Sequence, residues 1–303
     1  MRFTLKQLSY FIAAGEAESI TGAAQAAHVS QASVSAAVSH LESVFGVQLC
    51  IRHHAQGLSL TPAGRRLLDE ARRLVAQAGE LELDVKALGG KVAGPLEIGC
   101  FQTLAPLLMP SLIRQFEASH PDVEITCTVG HQEELYAGLR DGRFLMALTY
   151  DLDLGADLLF EPLASLPPYA ILPASHPLAK RSTLQLSDLA SEPMVFLDLP
   201  LSRAYFLSLF YSKGLEPRIA HRFASTDMVR GMVAHGFGYA LLNARTASCQ
   251  ALDGTPFVTR DLKDDLRPLH LGLARRADLR LPRIAEAFLD HCREHLPAQL
   301  GSA

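Results

Sequence analysis

"VSQASVSAAVSHLESVFG", residues 29–46, has the spacing of a helix, yet apart from Glu42 it carries no charged residue. Val34, Val38, Leu41 and Phe45 fall on one stripe of a 3.6-residue period, which predicts that all four are buried. The opposite face holds Ala32, Ser35, Ala36, Ser39 and Ser43, where a solvated helix would show Lys, Glu or Arg. Small, uncharged side chains let such a helix lie close against another surface.

Around this stretch, residues 1–60 hold three periodic segments, predicting helices over about 5–15 (Leu5, Leu8, Phe11, Ile12), 20–27 and 31–44. Ser19 and Ser30 stand where a hydroxyl can accept from the free N–H groups of a first turn. Two helices joined by a short turn make a helix-turn-helix. The next segment, VQLCIRHHAQGLSLTP, predicts a wing hairpin turning around His53–Gly57. Thr61 then caps, and Pro62 opens, a helix of roughly 27 residues and about 40 Å. Leu67, Leu68, Leu74, Val75, Leu81, Val85 and Leu88 mark its apolar side. A lone helix of that length is marginal, so it packs on its own domain or, the reading favoured here, on the same helix of a second subunit. Gly89, Gly90 and Gly94–Pro95 end it in a hinge.

From residue 92 strands and helices alternate: LEIGC, a helix over about 104–119, VEITCTV, a helix over about 132–140, FLMALTY, and a second set from Tyr169. PLHLGLARR and a last helix near 281–295 bring the chain back. The alternation predicts parallel sheets with crossovers in a two-lobed α/β domain. Ligands of open α/β sheets bind beyond the carboxyl ends of the strands, which points to loops at 100–103, 128–131, 150–151, 198–203 and 224–228. Gly236 and Gly238 in HGFGYALL predict a tight turn before a strand.

Composition excludes several classes. No run approaches the roughly 18 apolar residues of a membrane span, and MRFTLKQLSY lacks a signal-peptide core, so a cytoplasmic protein without membrane contact is expected. Cys50, Cys100, Cys127, Cys249 and Cys292 are an odd, scattered set without CxxC, which suits reduced thiols. The net charge of −4 gives no global nucleic-acid signal, and in residues 1–60 Arg2, Lys6 and Arg52 balance Glu16, Glu18 and Glu42. Phosphate attraction is therefore weak, leaving Arg65 and Arg66 as candidate backbone contacts and Arg72 and Arg73 as a solvated side. HCREH places His291 and His295 one turn apart beside Cys292, but no third metal ligand is evident. With no GxSxG, P-loop or GxGxxG, no catalytic residue, metal or cofactor is assigned.

The run AAQAAHVSQASVSAAVSHLESVFGVQL at 23–49 and the LTPAG at 60–64 resemble the LysR-type transcriptional regulators, and the likeness covers essentially the whole chain. The resemblance implies an N-terminal all-α winged helix-turn-helix over 1–60 and a dimerising linker helix over 61–90. It implies a C-terminal α/β, two-lobed, periplasmic-binding-protein-like effector domain over 91–303, with lobe I about 92–163 and 267–295 and lobe II about 164–266. The implied function is a bacterial sequence-specific DNA-binding regulator controlled by a small-molecule effector. Its implied partners are double-stranded operator DNA, RNA polymerase and further copies of itself, as a dimer or a dimer of dimers.

In the matching motif Gln31, Ala32, Ser33, Ser35 and Ala36 face the groove, with His53, His54 and Gln56 in the wing. Gln31 can pair bidentately with an adenine edge, and Ala32 can touch a thymine methyl. Two departures weaken the phosphate grip: family members often carry Arg where Ala36 stands, and Arg in the wing. In the effector domain the resemblance points to Thr103, near the start of the helix after the first strand, a natural seat for an anionic group. Cys100, Phe101 and Gln102 stand beside it, Tyr150 ends a strand, and Leu199, Pro200, Ser202, Thr226 and Asp227 come from the second lobe. Leu145 stands where the family habitually carries Asp. Two alternatives stay open: a small-molecule-binding protein with weak DNA affinity, and a thiol-based redox regulator of the same family. For the latter, Cys100 and Cys127 sit near neighbouring strand ends, although redox-sensing members carry their pair in the second lobe, where this chain has Leu201.

Overall fold

The computed structural model describes residues 2–53, 57–87 and 92–301. The chain divides into two compact units, one holding residues 1–91 with 137–143 and the other holding 92–136 with 144–303.

In the first unit α1 (Leu5–Glu16), α2 (Ile20–Ala26) and α3 (Gln31–Phe45) each begin at a hydroxyl that accepts from a first-turn amide. Thr4 accepts from Gln7, Ser19 from Gly22 and Ser30 from Ser33. These caps satisfy donors that a helix start leaves unpaired. Leu8, Phe11, Ala23, Val34, Val38 and Leu41 form the core between the helices. Phe45 departs from the predicted buried stripe and is 40% exposed. The stripe runs off the end of the core there, and the ring rests on Phe3 with centroids 5.5 Å apart.

The antiparallel hairpin of β1 (Cys50–His53) and β2 (Gly57–Leu60) comes next. The carboxylate of Glu42 accepts from the amides of Leu49 and Cys50 at 2.8 and 3.1 Å, so the one acidic residue of α3 ties the hairpin to the helix. In α4 (Pro62–Ala87) the Thr61 hydroxyl accepts from the Gly64 amide at 2.9 Å. Leu68 and Ala71 are buried in the three-helix core, with Leu67 and Val75 packed against it. Leu74 and Leu81 face outward, 40% and 66% exposed. The apolar residues of α4 therefore serve two faces rather than one. Arg72, expected on a solvated side, is only 17% exposed and pairs with Glu16 of α1 at 2.8 Å, because α4 lies against α1.

After the linker the chain runs β3 (Gly94–Phe101), α5 (Ala105–Ser119), β4 (Val123–Gly130), α6 (Gln132–Arg140, its residues from 137 on counted with the first unit), β5 (Met146–Tyr150) and β6 (Leu158–Leu166). It continues through β7 (Tyr169–Pro173), β8 (Thr183–Leu184), α7 (Leu186–Leu189), β9 (Pro193–Leu197), α8 (Pro200–Tyr211) and β10 (Arg218–Phe223). It closes with α9 (Thr226–Ala234), β11 (Ala240–Leu242), β12 (Phe257–Leu262), β13 (Leu269–Arg276) and α10 (Arg283–Gly301). One sheet has the order β4-β3-β5-β13-β6; the other lobe holds β11-β7-β12-β8 and the parallel pair β10-β9.

The sheets are mixed rather than wholly parallel. β13 runs antiparallel to β5 and β6, and β11 and β12 antiparallel to β7. The cause is the crossing between lobes: β6 leaves the first sheet and β13 returns beside it without a helical crossover. The predicted turn at Gly236 and Gly238 has φ of +87° and +138°. A Cβ at Gly238 would meet the Pro193 carbonyl oxygen at 1.9 Å, so glycine is required there.

Candidate functional site

The exposed face of α3 is as bare as its sequence. Gln31, Ala32, Ser33, Ala36, Ser39 and Ser43 are exposed or half-buried, and so is Ser35. Ser33 Oγ lies 2.8 Å from Ser30 Oγ, so this hydroxyl takes part in the cap. Gln31 is the exposed first residue of the helix. In the wing His53 ends β1, while His54 and Gln56 lie outside the described residues. Arg65 Nη1 donates to the Leu60 carbonyl at 2.9 Å, which holds this guanidinium beside the hairpin.

In the second unit the carboxyl ends of β3, β5, β9 and β11 converge on one small cavity of about 30 Å³. Phe101, Tyr150 and Leu269 line it from the first sheet, and Leu197, Leu199, Ser202 and Phe206 from the second lobe. A second, more open compartment adjoins it and includes Gln102, Ser225 and Asp227; Thr103, Thr226 and Arg230 belong to both. Most of the residues predicted for the effector site thus come together. Cys100 and Pro200 do not line either compartment. Alternation along β3 sends Cys100 to the face opposite Phe101, where it is fully buried, and Pro200 is the exposed first residue of α8.

The neighbours explain how the site is held. Gln132 Nε2 donates to the Tyr150 carbonyl at 2.7 Å and Tyr136 Oη to the Leu152 carbonyl at 2.7 Å, fixing the end of β5. Tyr150 and Thr103 share a side-chain hydrogen bond, and burial pushes the Tyr150 phenol far above its ordinary range, so it stays neutral. Asp151 receives the His270 amide and faces its Nδ1, each at 2.8 Å, which fixes the crossing strand beside Leu269. Gln102 Nε2 donates across the cleft to the Ala224 carbonyl at 3.3 Å.

Sequence reasoning missed Arg230 and Asn243, which both line the cavity. Arg230 had a signal: it stands four residues after Thr226, hence on the same helix face. Asn243 had none, because it lies in irregular chain just past β11.

The thiols fall where strand pairing puts them. Ile98 is the register partner of Cys127, so Cys100, two residues on, lies diagonal to it on the same face. The two sulfurs share a hydrogen bond, which together with burial raises the Cys100 thiol and which pulls the Cys127 thiol down against the effect of its own burial. The HCREH rings stack on one another, with His291 and His295 centroids 4.1 Å apart, and His295 Nδ1 lies 2.9 Å from the His291 carbonyl. Among the described residues no three His, Cys, Asp or Glu side chains gather as metal ligands would.

Residues 5–65 match the model of the bacterial regulatory helix-turn-helix protein, lysR family, and residues 89–297 match the LysR substrate binding domain. The chain belongs to the LysR family. This LysR-family chain is 41% identical to HinK, a LysR family transcriptional regulator from Pseudomonas aeruginosa, whose crystal structure it matches with a TM-score of 0.67 over 97% of this chain and 98% of that one. It is 29% identical to the HTH-type transcriptional regulator YvbU of Bacillus subtilis over 94% of each chain. It is also 29% identical to the DNA-binding transcriptional dual regulator OxyR of Escherichia coli over 79% of each. This LysR-family protein is accordingly a DNA-binding transcriptional regulator with an effector-binding domain, and the expected fold, a helix-turn-helix preceding an α/β domain, holds.

Proposed function

We propose that this regulator reads an inverted-repeat operator with the Gln31–Ala36 face of α3 and is switched by a small molecule held between the two lobes of residues 91–303. The observation that carries the reading is the cavity whose wall takes Thr103 and Tyr150 from one lobe and Ser202, Thr226 and Arg230 from the other. A ligand touching both lobes has a different affinity for open and closed arrangements, and only such a difference can shift their populations. Residues 1–60 serve as the DNA-binding domain and 61–90 as the dimerisation helix, supported by the outward Leu74 and Leu81. The protein acts in the cytoplasm, where its DNA is, and engages RNA polymerase as a dimer or dimer of dimers. It is a regulator and not an enzyme; its relatives are transcriptional regulators.

The test uses melting of the full chain with a panel of small acids, amino acids and neutral metabolites. A true effector at 100 times its dissociation constant raises stability by about 2.7 kcal/mol. Thr103→Val and Ser202→Ala should each cost about 1–2 kcal/mol of effector binding. Effector-free DNA binding should persist in both. Loss of DNA binding in both variants with normal effector affinity would place the pocket elsewhere. A second reading, a thiol sensor, rests on the Cys100–Cys127 contact. Peroxide treatment that consumes two thiols and alters DNA binding would favour it; unchanged thiol titre and footprint would reject it.

A further inference from the structure

The chain crosses between the lobes twice, and both crossings carry proline. Pro167 and Pro168 follow β6, and Pro268 precedes β13. The crossings run side by side, since Leu166 is the register partner of Leu269, and the ladder of β6 and β13 ends at that pair. Proline brings no N–H, fixes its own φ and restricts the residue before it. Leu166–Pro168 and Arg267–Pro268 are therefore stiff, and the prolines offer no donor to the neighbouring crossing. The carbonyls of Leu166 and Arg267, each just before a proline, take their donors from side chains.

Lobe II supplies both donors. Asn243, 5% exposed and just past β11, donates through Nδ2 to the Leu166 carbonyl at 2.8 Å and to Tyr205 Oη at 3.1 Å. Tyr205, buried on α8, gives its own proton to the Arg267 carbonyl at 2.8 Å. Burial pushes the Tyr205 phenol up to about 12, so that proton is in place at neutral pH. One chain of hydrogen bonds thus runs from the first crossing through Asn243 and Tyr205 to the second. A further bond reinforces it: Tyr169, the residue after Pro168, donates to the Ala244 carbonyl at 3.0 Å. From lobe I, Asp151 reaches the Arg267 guanidinium at 3.7 Å, a loose pairing for a group 64% exposed.

We infer that Asn243 and Tyr205 are positioning residues that bolt both crossings to lobe II and thereby limit the angles the two lobes can adopt. Rotation of lobes is absorbed by a few residues able to change φ and ψ. The proline-stiffened crossings are poor pivots, and while the chain of bonds is intact they move with lobe II, which confines bending to their lobe I side. Loss of the chain adds a second place to bend. Asn243 also lines the cavity, its Oδ1 without a partner, so cavity and crossings meet at one side chain. The inference rests on the reading that movement of the two lobes is the switch.

The test is single-molecule energy transfer on the full chain without ligand, with dyes attached through non-natural residues at exposed Glu286 of lobe I and Lys180 of lobe II. Labelled chains are diluted into unlabelled protein so that each oligomer carries one dye pair. Tyr205→Phe keeps the ring and Asn243→Leu keeps the volume. Each should raise the fraction of molecules outside the wild-type distance range by about 5–100-fold, the cost of a buried group left unpaired. Ser208→Ala removes a hydrogen bond from the same helix, to the Tyr205 carbonyl at 2.6 Å, and should leave the distances unchanged. Melting and circular dichroism report folding, and Tyr205→Phe carries the test if Asn243→Leu does not fold. An unchanged distribution in folded Tyr205→Phe, or an equal change in Ser208→Ala, would overturn the assignment. The panel of small acids, amino acids and neutral metabolites separates this outcome from the proposed switch. If a panel member stabilises the wild type while Tyr205→Phe leaves the distances unchanged, the positioning role falls and the effector reading stands. If the distances broaden but no panel member stabilises the wild type or shifts its distances, the positioning role stands and the effector reading falls.

Discussion

At the scale of single residues, the LTPAG segment shows what a short motif encodes. Thr61 caps α4 and also donates to the Gln48 carbonyl at 2.7 Å, while Gly64 passes so close to the hairpin that a Cβ would sit 2.0 Å from the Leu49 carbonyl oxygen. Gly64 is an ordinary helical position, so the requirement is space and not an unusual φ. Gly64→Ala should therefore cost about 1–3 kcal/mol, the usual penalty of overpacking, despite alanine's better helix propensity. Urea unfolding of the full chain would measure it, and an unchanged or raised midpoint would refute the close approach. Residues whose placement comes from local spacing were legible from sequence: the bare face from Gln31 to Ala36, the caps Ser19, Ser30 and Thr61, and Thr103 beside the first strand end. Residues whose role comes from a distant neighbour were not. Glu42 gains its meaning from two amides in the hairpin, Arg72 from Glu16, and Asn243 from Leu166 and Tyr205.

At the scale of elements, the three helices and the wing emerge with bounds close to those the periodicity predicts, because each is amphipathic and capped by its own sequence. Strand direction was not legible. Alternating strands and helices imply parallel pairing, but β6 and β13 cross between lobes, and nothing in their own residues records which way a neighbour runs. The long helix was half legible: its apolar positions are evident, their division between two faces is not. Leu68 and Ala71 are committed to the core, whereas Leu74 and Leu81, seven residues apart, share an outward stripe of coiled-coil spacing. Replacing both by Lys should convert the oligomer to monomers, since opposed ammonium groups in an apolar seam cost several kcal/mol. Sedimentation velocity would read the change directly. A native sedimentation coefficient in the double variant would show that α4 is not the main interface.

At the scale of the whole molecule, a formally neutral DNA-binding module and a two-lobed sensor make a regulator whose affinity depends on contacts other than bulk charge. Residues 1–60 carry three basic and three acidic side chains, so on the proposed reading nonspecific phosphate binding should be weak and discrimination should rest on base edges and on pairing of half-sites. The salt dependence of binding should be correspondingly shallow. Coupling between operator and effector is typically worth about 1–3 kcal/mol in such systems. The central claim is that the uncharged face of α3 reads sequence. Its most direct test is selection of DNA from a random library by the full chain, repeated with Gln31→Ala. Wild-type protein should enrich an inverted repeat. Gln31→Ala should bind that repeat about 1–3 kcal/mol more weakly and lose its preference at one base in each half-site. Enrichment of no common sequence, or of the same sequence with the same affinity by the variant, would contradict the account.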